Sequence, residues 1–176
     1  MNLDFSNDQK LLQDEASKFL IKEEALKASR AVMEAKSNYD PELWQKIVQL
    51  GWTGIRIPEE FGGLGLGHLE LCVIAEELGR QLAPVPFSSS VYLFTEALLE
   101  FASEEQKTQI LPQLVSGEVV GTFAMAETAA APTEQNLVVN YADGKLSGKK
   151  IAVPDAEVAS SHAIVVAKEN NHATMC

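Results

Sequence analysis

Apolar side chains recur at helical spacing close to the N-terminus of the chain. Ser6 followed by Gln9 has the spacing of a capping box, which satisfies the free backbone donors of a helix start. The apolar face of this first predicted helix consists of Leu11, Leu12, Ala16, Phe19 and Leu20. The periodicity weakens over residues 27–37, where small and charged residues predominate, and no helix is predicted there.

A second helix is predicted to start at Asp40, because an acidic N-cap followed by proline is typical of a first turn. Gly51 is placed to end this helix. Its predicted buried face consists of Leu43, Trp44, Ile47 and Val48. The glycine-rich run that follows, residues 51–67, is typical of a structured loop rather than a regular element.

Three more helical segments precede a change of pattern at Gly117. The first runs from about Leu69 to Arg80 and the second from about Ser88 to Phe101. Ser103 with Gln106 repeats the capping-box spacing, and a short helix is predicted from there to about Leu114.

After Gly117 the chain alternates in the manner of strands. VVGTFAMAE, two strands within LVVNYADGKLSGKKIAV, and SHAIVVAKE are the predicted strands, and Asp143-Gly144 is a strong hairpin signal. Helices followed by strands indicate an α+β protein with a helical domain, residues 1–117, and a β-domain, residues 118–176. No element is predicted over residues 170–176, so the strand near residues 162–167 is expected to present an unpaired edge.

Charge and composition narrow the class of function. The net charge of −11 disfavours binding to nucleic acid and to anionic membranes. The sequence lacks the pattern of a signal peptide and any apolar run long enough for a membrane span. Two distant cysteines and no metal-ligand spacing favour a cytoplasmic protein without a metal site.

Four stretches, in this order, resemble the acyl-CoA dehydrogenase family. They are Trp44–Gly67, Glu76–Phe87, Ser103–Glu127 and Gly148–Ala167, which together cover most of the chain. The resemblance implies an N-terminal antiparallel helical domain followed by part of a central β-domain, expected here as an incomplete β-barrel or sandwich. The C-terminal four-helix domain of the family is absent from this sequence.

The resemblance also implies a reaction. Members of the family use FAD to oxidise an acyl-CoA thioester to its 2,3-enoyl form and pass the electrons to an electron-transferring flavoprotein. A carboxylate base removes the proton next to the thioester carbonyl, and in most members it lies in the C-terminal domain. No catalytic residue is therefore assigned in this chain, which is expected to be inactive alone and to form homo- or hetero-oligomers.

The resemblance places Phe123, Met125 and Ala126 on the strand that lies against the flavin ring. Most members have threonine at the position of Ala126, and a tryptophan and a threonine at those of Ala152 and Pro154. The glycine-serine segment near the pyrophosphate is replaced by residues 128–132, TAAAP. The alternatives are an ordinary core strand and, for the whole chain, a non-catalytic structural subunit of a heteromeric acyl-CoA dehydrogenase.

Ser88, Tyr92 and Thr95 are the candidates for lining an acyl pocket, because the matching helix does so in similar proteins. Plain helix packing is favoured for Val91. The loop at residues 58–67 lacks the strand-before, helix-after layout of a phosphate cradle and is interpreted as structural.

Two pairs of adjacent glutamates are interpreted as structural or solvent-exposed residues rather than as acid/base pairs. Glu59 and Glu60 are interpreted as a cap or a solvated turn. Glu76 and Glu77 are interpreted as a helix surface paired with Arg80.

Overall fold

The computed structural model of the chain describes residues 4–34, 37–159, 162–170 and 172–176. The α-helices are α1 (Asn7–Lys22), α2 (Ala25–Met33), α3 (Pro41–Gln49), α4 (His68–Arg80), α5 (Glu96–Phe101) and α6 (Glu104–Val115). A π-helical segment, Ser88–Thr95, runs directly into α5. The strands are β1 (Gly121–Ala124), β2 (Asn140–Ala142), β3 (Lys145–Ser147), β4 (His162–Glu169) and β5 (His172–Met175).

The predicted helix starts are confirmed at atomic detail. The Ser6 hydroxyl accepts from the Gln9 N–H at 3.1 Å, and the Gln9 side chain accepts from the Ser6 N–H at 2.9 Å. The same reciprocal pair forms between Ser103 and Gln106 at the start of α6. The Asp40 carboxylate accepts from the first free N–H groups of α3, as expected of an N-cap.

The helix α2 is the element that the hydrophobic pattern failed to predict. It follows α1 after a turn at Glu24, whose φ of 52° lies in the left-handed region. Ala25 is its single fully buried residue. Glu24, which precedes the helix, makes no side-chain capping hydrogen bond, so the sequence carries no local signal for the start of α2, which explains why it was not predicted. Residues 35 and 36, at the end of the weak stretch, lie outside the described part.

Two hydrophobic clusters form the core. The first lies among α1, α3, α4 and the π-helical segment, and includes Leu20, Trp44, Ile47, Ile74 and Val91. The second lies among the π-helical segment, α5, α6 and the sheet. It includes Phe94, Leu98, Leu111, Leu114 and Ile164. Because Ile164 belongs to β4, this second cluster attaches the sheet to the helices.

The sheet is open and mixed. Its strands follow the order β1-β4-β2-β3, and β5 pairs with β4. The pairing of β1 with β4 is parallel, from Gly121 opposite His162 to Ala124 opposite Val165. The predicted hairpin is confirmed: Asp143 and Gly144 join β2 to β3 with φ values of 51° and 72°, which suits a tight two-residue turn.

Two expectations about the end of the chain are wrong. Residues 172–175 form β5, although no element was predicted there. As a result β4 is a central strand, with β1 and β2 among its neighbours as well as β5, rather than an edge. The run HATM has no alternation of its own, and only pairing with β4 makes it a strand. Ser161, at the start of the predicted run, lies outside the described residues.

The molecule is therefore an α+β protein with an open sheet, as the sequence indicated. Every described helix precedes the first strand. Within the described residues no helix combines the length and the apolar character needed to cross a bilayer.

Candidate functional site

Strand β1 is seated directly on the π-helical segment. The Gly121 N–H donates to the Ser90 hydroxyl at 3.3 Å. A Cβ atom on Gly121 would lie 2.2 Å from the ring of Phe94, which is far inside van der Waals contact. Only glycine therefore allows β1 to approach the helical block this closely.

Phe123 of β1 faces a cavity of about 460 Å³ between the helical block and the sheet. The cavity is lined by Arg56, His68, Tyr92, Leu93, Glu96, Ala97, Leu99, Glu100, Phe101, Phe123 and Met175. Its apolar side is shared by the π-helical segment, α5 and two strands. Such a recess, apolar with a few converging polar groups, is the usual form of a small-molecule site.

The polar side chains at one end of this cavity are already bonded to one another. The Arg56 Nε donates to Glu96 at 3.0 Å, and the other oxygen of Glu96 lies 3.2 Å from the ring of His68. Arg56 also donates to the Leu66 carbonyl at 2.8 Å, which closes the glycine-rich loop. The structure thus assigns Arg56 to holding the loop together, in agreement with a structural loop.

The candidate flavin-facing residues are split by the end of β1. Phe123 lies within the strand and lines the cavity. Met125 and Ala126 follow the strand; Met125 is 43% exposed and Ala126 is half-buried. The carbonyl of Met125 accepts from Lys150 Nζ, and that of Ala126 accepts from the Ile151 N–H. This backbone would therefore offer a ligand mainly its N–H donors.

A buried ion pair lies directly after this tract. Glu127 and Lys150 are each only 8% exposed, and their charged atoms are 2.7 Å apart. The same carboxylate accepts the N–H groups of Val138, at 2.6 Å, and Val139, at 3.0 Å. Burial alone would raise the pKa of Glu127, but Lys150 and the two N–H groups outweigh it and lower the pKa. No sequence signal marks this pair, because its members lie far apart along the chain.

The three candidate acyl-pocket residues occupy one segment but face different surroundings. Ser88 and Tyr92 line a second cavity, of about 370 Å³, between α4 and the π-helical segment. Tyr92 lines the first cavity as well. Thr95 is buried, and its hydroxyl donates to the Ser90 carbonyl at 2.8 Å, a contact within the π-helical segment.

The aromatic ring of Tyr92 is held in place from one side. It packs edge-on against Phe87, with ring centroids 5.3 Å apart. Burial raises the pKa of Tyr92 to about 12, so its phenol is neutral and available as a hydrogen-bond donor at physiological pH. Val91 is buried in the first core cluster, as the packing interpretation expected.

The segment that contains Ala152 and Pro154 fastens the β block to the helices. Ala152 and Asp155 both have φ of 49°, in the left-handed region. The Asp155 carboxylate accepts from the buried Ser89 hydroxyl at 2.6 Å. The Pro154 carbonyl accepts from the hydroxyl of Thr122 on β1. Residues 152–155 thus lie against both β1 and the π-helical segment.

The adjacent glutamates behave differently from one another. Glu59 and Glu60 are exposed in a short 3-10 turn, in agreement with the solvated interpretation. Glu76 and Glu77 both pair with Arg80, Glu77 at 3.3 Å, but Glu77 is only 2% exposed and does not belong to the helix surface. Its carboxylate faces Gln13 of α1, so packing of α1 on α4 turns part of the predicted polar face inward. The described residues contain no group of His, Cys, Asp and Glu side chains arranged to hold a metal.

The sequence matches a known protein family and is similar to known proteins. The family model described as the acyl-CoA dehydrogenase N-terminal domain matches residues 6–118. The mitochondrial isovaleryl-CoA dehydrogenase of Solanum tuberosum is 35% identical over 131 residues, which are 72% of this chain and 31% of that protein.

Solved structures extend the likeness into the β block. The ChsE4–ChsE5 complex from Mycobacterium tuberculosis superposes with a TM-score of 0.84 at 26% identity, covering 99% of this chain and 48% of that one. The FAD complex of PigA superposes with a TM-score of 0.78 at 25% identity, covering 97% and 46%. The chain thus spans about a third of the length of the curated relative and about half of the solved chains.

Proposed function

The chain belongs to the acyl-CoA dehydrogenase family, and on this premise we propose that it forms the N-terminal part of an FAD-dependent acyl-CoA dehydrogenase. The complete enzyme would oxidise an acyl-CoA thioester to the 2,3-enoyl-CoA. Within this chain, residues 1–117 would act as the helical domain and residues 118–176 as part of the central β-domain.

The observation that carries the proposal is the position of β1. It runs along the junction of the two blocks, with Phe123 facing the cavity described above. A helix at this place, or a strand remote from any cavity between the blocks, would have contradicted a flavin-facing role. The strand conformation at Phe123 supports that role.

The backbone after β1 would fit FAD in part. The ring edge of a flavin carries several nitrogen and oxygen acceptors, and backbone N–H groups at Met125 and Ala126 are donors of the kind that such acceptors need. Bound there, FAD would supply the hydride acceptor for the oxidation. The methyl side chain of Ala126 has no hydroxyl to add, and the run TAAAP at residues 128–132, exposed except at the half-buried Pro132, brings no glycine for close approach to a pyrophosphate.

The acyl group would lie along the π-helical segment. Tyr92 contacts both cavities and Ser88 contacts one of them, so these two side chains are the better candidates for substrate contact. Thr95 would contribute by stabilising the π-helical backbone, since its hydroxyl already donates to the Ser90 carbonyl. π-helical turns occur frequently at functional sites, which fits this assignment.

The role of this chain in the reaction would be to bind and orient. It would hold the acyl group beside the flavin and exclude water from the apolar side of the cavity. The proton next to the thioester carbonyl would be removed by a carboxylate outside this chain, and electrons would leave to an electron-transferring flavoprotein. A homo- or hetero-oligomer would assemble the complete site.

A second function is favoured by the altered side chains. Ala126, Ala152 and Pro154 together lack side-chain groups that many relatives direct at the flavin. A non-catalytic subunit that pairs with a catalytic paralogue would tolerate all three changes. In that case the cavity beside Phe123 would be structural.

Flavin absorbance of the purified chain, alone and mixed with a full-length paralogue, separates the two functions. A mixture that binds more flavin than the paralogue alone, with the additional flavin bleaching when acyl-CoA is added, supports the flavin-binding role. If the chain joins the paralogue but the mixture binds no more flavin than the paralogue alone, the structural-subunit role is correct.

A further inference from the structure

Glu127 and Lys150 form a buried connection that the proposed function does not itself use. We propose that they are positioning residues, which fix the backbone of residues 125–127 against residues 150–151 in the shape that a flavin ring requires. This inference rests on the proposed flavin site at Phe123–Ala126.

The backbone beyond β1 has little other support. The ladder between β1 and β4 ends at Ala124 opposite Val165. Past that point, the Ile151 N–H donates to the Ala126 carbonyl at 2.8 Å. Lys150 Nζ adds a bond to the Met125 carbonyl at 2.9 Å. The lysine therefore holds the strand end where ladder hydrogen bonds have stopped.

Glu127 links this strand end to a third segment. One carboxylate oxygen accepts the Val138 N–H at 2.6 Å, and the other accepts both the Val139 N–H and Lys150 Nζ, at 3.0 Å and 2.7 Å. Charge-assisted hydrogen bonds of this kind are short and strongly directional. Three segments, at residues 125–127, 138–139 and 150–151, are thus joined through one ion pair.

Stability alone does not require these two charges. A buried ion pair gains little over a neutral pair of the same shape, whereas removing one partner leaves a costly unpaired charge. A pair with methionine at residue 150, however, cannot donate to the Met125 carbonyl. Mutations can therefore separate the contribution of the ion pair to fold stability from its effect on the backbone position of residues 125–127.

Three variants make this separation. Lys150→Met removes the ammonium and leaves Glu127 buried without its cation. The double variant Glu127→Gln/Lys150→Met is neutral, and its single amide oxygen still accepts from one of the two N–H groups, that of Val138 or that of Val139. Lys149→Met is the matched control, since Lys149 is exposed next to Lys150.

FAD affinity and the flavin visible spectrum are measured well below the melting temperature of every variant. Lys150→Met should melt lower and bind FAD about tenfold more weakly, and the double variant should regain most of the lost melting temperature but keep the weak binding and a shifted spectrum. Lys149→Met should match the wild type. A double variant with wild-type affinity and spectrum overturns the positioning role.

Amide hydrogen exchange keeps the two proposals distinguishable. If the wild type binds no FAD, either alone or with a full-length paralogue, the proposed function fails. The clamp is then tested by the Ile151 amide. Faster exchange at Ile151 in the double variant, with unchanged exchange of the amides of α1, supports the clamp, and unchanged exchange at Ile151 overturns it.

Discussion

At the scale of single residues, two contacts decide how the strand beside the cavity is placed. Gly121 lets β1 touch Phe94, and Glu127 holds the strand end through Lys150 and two backbone N–H groups. The sequence marked Phe123, Met125 and Ala126 through family resemblance. It could not mark Gly121 or Lys150, because their partners lie 27 and 23 positions away, as the numbering shows.

Gly121→Ala is expected to destabilise the fold by about 1–3 kcal/mol, since the added methyl overlaps the Phe94 ring. Urea unfolding of the variant and the wild type measures the difference. Gly79→Ala is the matched control, because a Cβ at Gly79 meets nothing within 4 Å. An unchanged unfolding free energy for Gly121→Ala would contradict the close approach of β1.

The pH dependence of stability is expected to carry a contribution from Glu127. Its folded pKa is lowered from an ordinary value of 4.5. The stabilising contribution is therefore present above pH 4.5 and is lost as the pH falls through the folded pKa. Unfolding free energies measured from neutral pH down into this acid range test the slope.

Glu127→Gln supplies the control for that slope. The variant should be less stable at neutral pH, because Lys150 is left buried without a counter-charge. It should also lose less stability on acidification than the wild type. Equal acid slopes in the two proteins would show that Glu127 does not titrate in this way.

At the scale of elements, local signals and packing contributed unequally. The capping boxes of α1 and α6, the N-cap of α3 and the Asp143-Gly144 turn are local, and each was predicted correctly. Elements without such signals, α2 and β5, were missed. The segment at residues 152–155 reads as a loop, yet its contacts with Ser89 and Thr122 join the two blocks.

Ser103→Ala tests the local signal at the start of α6. The variant loses the oxygen that accepts the Gln106 N–H and should be less stable by about 1 kcal/mol. Hydrogen exchange of the first α6 amides should accelerate with it. Ser103→Thr retains a hydroxyl oxygen and should remain close to the wild type; equal loss in both variants would argue against capping as the cause.

At the scale of the whole molecule, the open sheet leaves a strand edge with which another chain could pair. In the described residues β5 pairs with β4 only, so β5 rather than β4 presents an exposed edge, as β3 does at the other end of the strand order. Val165 and Cys176 exchange both backbone bonds, so the alternation of an antiparallel ladder turns the Ala173 N–H away from β4. That N–H meets the exposed Glu134 side chain at 3.1 Å, which another strand could displace.

Association through this edge is expected. Sedimentation velocity over increasing concentration should show dimers or larger species of the chain, because an unpaired edge favours pairing with another chain. Ala173→Pro removes the outward N–H without breaking the β4 ladder and should weaken association. A wild-type chain that stays monomeric and monodisperse at high concentration would contradict this expectation.

The sequence by itself determined the starts of α1, α3 and α6, the hairpin turn, the order of a helical block before strands, and the family. These features depend on residues close together in the chain, such as Ser103 with Gln106, or on ordered motifs. Only the tertiary structure decided the burial of Glu77, the Glu127–Lys150 ion pair, the close packing of β1 on the π-helical segment and the exposed strand edge of β5. Each of these depends on groups distant in sequence, whose burial and pairing exist only after the chain has packed.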